Sequence, residues 1–234
     1  MVGCKVAVLG TGPLAALLAR SLPRVCRKWI VSPLRARAQA LADEVGAVSS
    51  DSPAAVRGAA VLLLTTEGEN VREVIEALEP HLASGALLIN CVLDVETEEL
   101  KRRFPHLRIG AAHLMGSPLE VGAGSPSVLV LDYLDEEDAR QVAELLSSVG
   151  TVESGEESKV RAAFAAARDV AGRLEAELRD RLAVLGWEGA ALDAAVRNLV
   201  PGLLRSGAGS LASAEYAPGE TAEIRRWVEA ALRN

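Results

Sequence analysis

The sequence predicts an α/β protein: a mostly parallel sheet with helices on both faces, followed by a small all-helical domain. Strand and helix signals alternate with short connections as far as residue 150, the rhythm of an open parallel sheet. The strand runs are short and continuously apolar, as strands buried on both faces are. Strand signals then stop, and the remaining chain is rich in Ala, Arg, Glu and Leu.

Lys5 to Leu9 reads as the first strand, ended by Gly10. A helix follows over Leu14 to Leu22, with Pro13 in its first turn, where a missing N–H costs nothing. Trp29 to Val31 is a second strand stopped by Ser32-Pro33, and Arg35 to Val45 is a helix closed by Gly46. Ser52-Pro53 caps a short helix before the strand Ala60 to Leu64. Then come a helix over Asn70 to Leu82, a strand over Ala86 to Asn90, a helix over Val95 to Phe104 and a strand over Leu107 to Ala112. A strand over Ser127 to Leu131 and a helix over Glu136 to Val149 close a first domain, residues 1–150.

Glu156 to Leu185 is one long helical segment, which at 1.5 Å per residue spans ~45 Å. Gly186-Trp187-Glu188-Gly189 breaks it, and helical stretches follow near 190–206 and 220–233. A helix that long in so short a tail predicts packing against a partner subunit, so residues 151–234 read as an all-α dimerisation and substrate domain.

Composition narrows the functional classes. Half of the 234 residues are apolar but only 3% are aromatic, leaving few rings for stacking bases. The formal charge of −7 repels nucleic acid and anionic lipid. Cys4, Cys26 and Cys91 have no metal-ligand spacing, and neither have His81, His106 and His113. No secretory signal pattern opens the chain, and its apolar runs are too short for a bilayer. The expectation is a cytoplasmic protein with a small-molecule substrate, without metal, nucleic acid or membrane as partner.

The spacing Gly10-x-Gly12-x-x-Ala15, set between a buried strand and a helix, carries the most chemistry. The first glycine makes a tight turn, the second lets backbone approach a pyrophosphate, and the small third residue lets helix pack on strand. The helix N-terminus then points unpaired N–H groups at the phosphates. This is the fingerprint of a dinucleotide-binding Rossmann domain, in which Gly10, Thr11, Gly12, Pro13 and Leu14 bind pyrophosphate through backbone groups. An NAD site would carry Asp or Glu at the end of the second strand; here stands Ser32-Pro33-Leu34-Arg35-Ala36-Arg37. A hydroxyl with two guanidinium groups suits a 2′-phosphate, so Ser32, Arg35 and Arg37 predict NADP, with NAD possible.

Beyond this loop, several strings resemble the pyrroline-5-carboxylate reductase family. They are Asp51-Ser-Pro-Ala-Ala-Val-Arg-Gly-Ala-Ala60, Met115-Gly-Ser-Pro118 with Val121-Gly-Ala-Gly124, and Leu145-Leu-Ser-Ser-Val-Gly-Thr151. The resemblance implies NAD(P)H-dependent reduction of a cyclic imine and a homodimer joined by C-terminal helices. It also sets Thr65 and Thr66 beside the ribose and Cys91 on the nicotinamide side. The substrate half departs from the family. Thr65-Thr66-Glu67 replaces a lysine-proline pair, Gly116 an asparagine, and Phe164 to Arg168 a Ser-Gly-Ser-Gly-Pro stretch. The late Pro-Gly-Gly-x-Thr loop becomes Pro218-Gly219-Glu220-Thr221-Ala222.

His113, Ser117 and Thr221 are the candidate catalytic groups, placed to converge across the cleft at the C-terminal edge of the sheet. The expected function is an NADP(H)-binding oxidoreductase acting on a cyclic imine or related small substrate. The alternative is a regulatory or sensing homologue that binds nucleotide without reducing anything.

Overall fold

The computed structural model describes residues 4–66 and 70–205. The predicted helix near 220–233 and the residues Glu220 and Thr221 lie outside them. Contacts divide the chain into two compact units, Met1–Phe164 and Ala165–Asn234.

The first unit is built on one eight-stranded sheet. In chain order the strands are β1 (Lys5–Leu9), β2 (Arg27–Val31), β3 (Val48–Ser50), β4 (Val61–Leu64), β5 (Leu87–Asn90), β6 (Arg108–Met115), β7 (Val128–Asp132) and β8 (Thr151–Ser154). Their spatial order is β3-β2-β1-β4-β5-β6-β7-β8. The first six run parallel, with Leu9 opposite both Val31 and Leu64. β7 turns antiparallel to β6, pairing His113 with Val130, and β8 runs parallel to β7. The α/β class and the mostly parallel sheet are as the sequence predicts.

The alternation of side chains along each strand feeds two cores. Val6 and Val8 of β1 pack with Ala15 and Leu18 of α1 (Pro13–Ser21), Leu41 of α2 (Arg35–Val45) and Leu145 of α6 (Glu136–Leu146). Ala7 and Leu9 face the other way, onto Ile75 of α3 (Val71–Leu78) and Leu100 of α4 (Thr97–Arg103). Leu9, Leu18, Ile75 and Leu100 are all sealed from solvent. Each such burial contributes about 1.5–3 kcal/mol relative to exposure, which fixes the strand register and with it the sheet edge described below.

Several elements differ from the sequence reading. β3, β8 and the short helix α5 (Pro118–Gly122) are additional. The helix expected over Asn70 to Leu82 ends at Leu78 and tightens into a 3₁₀ turn over Glu79–His81, because Pro80 has no N–H to continue the ladder. The strand expected to stop at Ala112 continues to Met115, so His113 lies within β6 and not in a loop after it. The first unit runs past Gly150 to Phe164, since β8 completes the sheet and Glu157 and Val160 at the start of α7 (Glu157–Val184) are buried.

Among the described residues the second unit comprises the rest of α7 and α8 (Gly189–Arg205). Gly186 in the break between them and Gly189 at the start of α8 both take positive φ. Arg179 of α7 pairs with Asp193 of α8 at 2.8 Å.

Candidate functional site

The site begins where β1 ends. Gly10 has φ +131°, and a Cβ there would stand 2.8 Å from Thr65 Oγ1, so glycine is needed for the turn itself. Its N–H donates to the Val31 carbonyl at 3.1 Å, and the Thr65 N–H and hydroxyl both donate to the Leu9 carbonyl. Three parallel strand ends are thus laced together around Gly10.

Gly12 is different. A Cβ on it would meet nothing within 4 Å. It is the N-cap of α1, with no side chain capping the first turn. The leading N–H groups of α1 therefore carry the partial positive charge of a helix start.

Two of the cavities that flank this loop meet at Thr66. The first, of about 460 Å³, is lined by Leu9, Gly10, Val31, Ser32, Asp51 and Thr66, with α3 side chains closing it. The second, of about 850 Å³, is lined by Gly12, Leu14, Thr65, Cys91, Leu93 and Phe164, and also by Thr66. Thr66 Oγ1 is buried and has no hydrogen-bond partner among the described residues. An unpaired buried hydroxyl costs about 1–3 kcal/mol, and here it stands at the wall common to both cavities. An orphaned hydroxyl, an uncovered glycine and an uncapped helix start fit an extended ligand with an anionic middle.

The residues predicted for the adenosine end are together. Ser32 is buried, and its Oγ accepts the Leu34 N–H at 3.2 Å, holding the turn into α2. Arg35 is exposed and pairs with Asp51, its Nε 2.6 Å from Oδ2. Arg37 is exposed on the same first turn. Cys91 is buried on the second cavity, where burial pushes its thiol up to about 12.

The candidate catalytic residues are not gathered in the same way. His113 is completely buried, with Nε2 3.2 Å from Glu157 Oε1 and short of hydrogen-bond alignment. Its placement inside β6 makes it a core residue between the sheet and the start of α7, a correction to its expected position on the cleft. Ser117 is exposed as the N-cap of α5, and neither residue lines the two cavities. Among the described residues, no three His, Cys, Asp or Glu side chains are grouped to hold a metal.

Sequence reasoning missed Asp51 as a site residue, although it stands at the end of β3 beside the ends of β1 and β2. It missed Leu93 too, which carries no chemical signature, and noted Phe164 only as the start of the stretch that replaces Ser-Gly-Ser-Gly-Pro.

A parallel sheet, a glycine loop opening a helix, and cavities over the strand ends make up a Rossmann-type fold, the architecture in which dinucleotides are commonly bound. Residues 5–93 match the family described as NADP oxidoreductase, coenzyme F420-dependent. Over 103 residues the chain is 30% identical to a glycerol-3-phosphate dehydrogenase [NAD(P)+] of Moorella thermoacetica, covering 42% of this chain and 31% of that protein. The chain therefore matches about a third of the length of its curated relatives.

Solved structures extend the likeness of fold along the chain. An imine reductase of Streptomyces aurantiacus aligns with TM-score 0.63 at 18% identity, over 96% of this chain and 85% of that one. The pyrroline carboxylate reductase of Plasmodium falciparum, with NADP bound, aligns with TM-score 0.58 at 13% identity, over 100% and 92%. The resemblance to pyrroline-5-carboxylate reductases is thus one of fold.

Proposed function

We propose that this chain binds NADP(H) and transfers hydride to a cyclic imine or related small substrate, as an oxidoreductase of the pyrroline-5-carboxylate reductase type. The observation that carries this reading is the pair of cavities meeting at the Gly10–Gly12 loop, with Thr66 Oγ1 unpaired between them.

In this reading Gly10, Thr11, Gly12, Pro13 and Leu14 hold the pyrophosphate by backbone N–H groups. Ser32, Arg35 and Arg37 hold the 2′-phosphate, and Thr65 and Thr66 lie beside the ribose. Bound there, the dinucleotide supplies a hydride donor or acceptor at its nicotinamide end. The chain's own contribution is to seat that ring against Cys91 and Leu93 in a largely apolar cavity that sheds water. Ser117 and Thr221 remain candidate catalytic groups, while His113 is assigned to positioning beside Glu157.

The second unit is proposed to pair with its copy in a homodimer. Its described part exposes Val170, Leu174, Val184, Leu185 and Trp187, more apolar surface than two helices cover for themselves.

Titration with NADPH, followed by absorbance assays with a panel of cyclic imines, tests the reading. Enhanced nicotinamide fluorescence together with imine-dependent oxidation supports it. Binding without turnover on any imine favours the sensing homologue, and absence of binding overturns both.

A further inference from the structure

Arg35, the cation best placed for a 2′-phosphate, is already engaged. Its Nε and Nη2 lie 2.6 and 2.5 Å from the same oxygen, Asp51 Oδ2. The pairing follows from the sheet. Val31 of β2 sits opposite Ser50 of β3, and the Ser32 N–H donates to the Ser50 carbonyl at 3.0 Å. The residues leaving these strands, Ser32 and Asp51, are therefore neighbours at the mouth of the first cavity, which both of them line. Arg35 reaches back from the first turn of α2 to close the triangle.

We infer that Asp51 sets the cofactor preference of this site by competing with the 2′-phosphate for Arg35. The inference rests on the proposed dinucleotide binding and goes one step past it. The Arg35 side chain is 82% exposed and that of Asp51 38%, so their ion pair is solvated and cheap to break. A 2′-phosphate offers the guanidinium a charge-assisted, two-pronged partner and draws it away. The carboxylate of Asp51 is then left facing a dianion at the cavity mouth, which penalises the phosphorylated cofactor. An unphosphorylated ribose presents a hydroxyl, from which the same carboxylate accepts a hydrogen bond while Arg35 stays in place. Asp51 thus occupies the functional position of the acid that NAD sites carry at the end of their second strand, supplied here by the third. The site is built for either cofactor, and one carboxylate holds the balance.

The test is the ratio of NADPH to NADH affinity, measured by fluorescence titration on the full chain for wild type, Asp51→Asn, Arg35→Ala and the double variant. Asp51→Asn is expected to tighten NADPH on the order of fivefold, the size of an exposed charge contact, and to weaken NADH. In the Arg35→Ala background the competition for the guanidinium is gone, so its effect on NADPH is limited to relief of the carboxylate–phosphate repulsion. Thermal melts of the single variants stay near wild type, since both side chains are solvated. An unchanged NADPH-to-NADH ratio in Asp51→Asn, with both cofactors still binding, overturns the role of Asp51 alone. If wild type binds neither dinucleotide, the proposed function falls, and this inference with it.

Discussion

The carboxylate of Glu157 receives the backbone N–H of Thr97 on both of its oxygens, at 3.2 and 3.1 Å. Thr97 opens α4, whose N-cap residue Glu96 provides no side-chain hydrogen bond, so an acid sixty positions later caps the helix instead. The Glu157 N–H in turn donates to Asp132 Oδ2 at 2.7 Å. Burial raises the Glu157 pKa, but nearby His113 and the Thr97 N–H outweigh it and hold the group below the ordinary carboxylate range. Glu157 therefore contributes stability that is fully present above its unfolded value of about 4.3 and is lost as pH falls through the folded one. Glu157→Gln should lower stability by about 1–3 kcal/mol at neutral pH. It should also flatten the acid limb of a plot of melting temperature against pH.

Gly10 and Gly12 should separate folding from binding. Gly10→Ala places a methyl 2.8 Å from Thr65 Oγ1 at φ +131°, a strain of order 1–3 kcal/mol visible in the melting temperature of the empty protein. Gly12→Ala meets no atom within 4 Å and keeps an ordinary φ of −75°, so the empty protein should melt no lower than wild type. Its NADPH affinity should nonetheless fall by tenfold or more (~1.4 kcal/mol), as the methyl enters the space a pyrophosphate needs.

Arg37 has no ion-pair partner among the described residues, so its loss should act on the ligand alone. Arg37→Ala is expected to weaken NADPH by about tenfold and to leave NADH unchanged. The difference should shrink as salt is raised in a fluorescence titration.

Cys91 should be chemically silent. With its thiol pushed up to about 12 and its side chain buried, alkylation at pH 8 should modify it only after denaturation. Mass spectrometry of the alkylated native protein checks this, Cys4 being the cysteine that is only half-buried.

The proposed homodimer can be broken from the second unit. Val170 and Leu174 lie one turn apart on α7 and are 54% and 37% exposed. Val170→Glu with Leu174→Glu should convert a dimer to a monomer in light scattering, leaving NADPH affinity within about twofold of wild type.

What the sequence revealed follows the strength of the burial signal. β1, β4 and β5 are buried on both faces and read directly as apolar runs, and the Gly10–Gly12 loop carries its own spacing. β3 and β8 escaped notice because Val48-Ser-Ser50 and Thr151-Val-Glu-Ser154 lie at the sheet margins and fully bury none of their residues. The reversal of β7 left no trace, since an apolar run looks the same in either direction. His113 was misplaced because a buried histidine and an active-site histidine are identical in one dimension. Only the fold brings Glu157 to it. The same limit hid Asp51, whose role depends on Arg35 sixteen positions away.

Those marginal strands constrain how the protein meets its own kind. A sheet recruits another chain through a long, bare outer strand whose unpaired N–H and C=O groups template a new ladder. Here one flank is the three-residue β3 and the other the four-residue β8, in which Thr151, Glu153 and Ser154 face water. Neither offers enough rungs for edge-to-edge growth. Short edges of this kind disfavour growth along the sheet, in keeping with the helix-against-helix pairing proposed for the second unit.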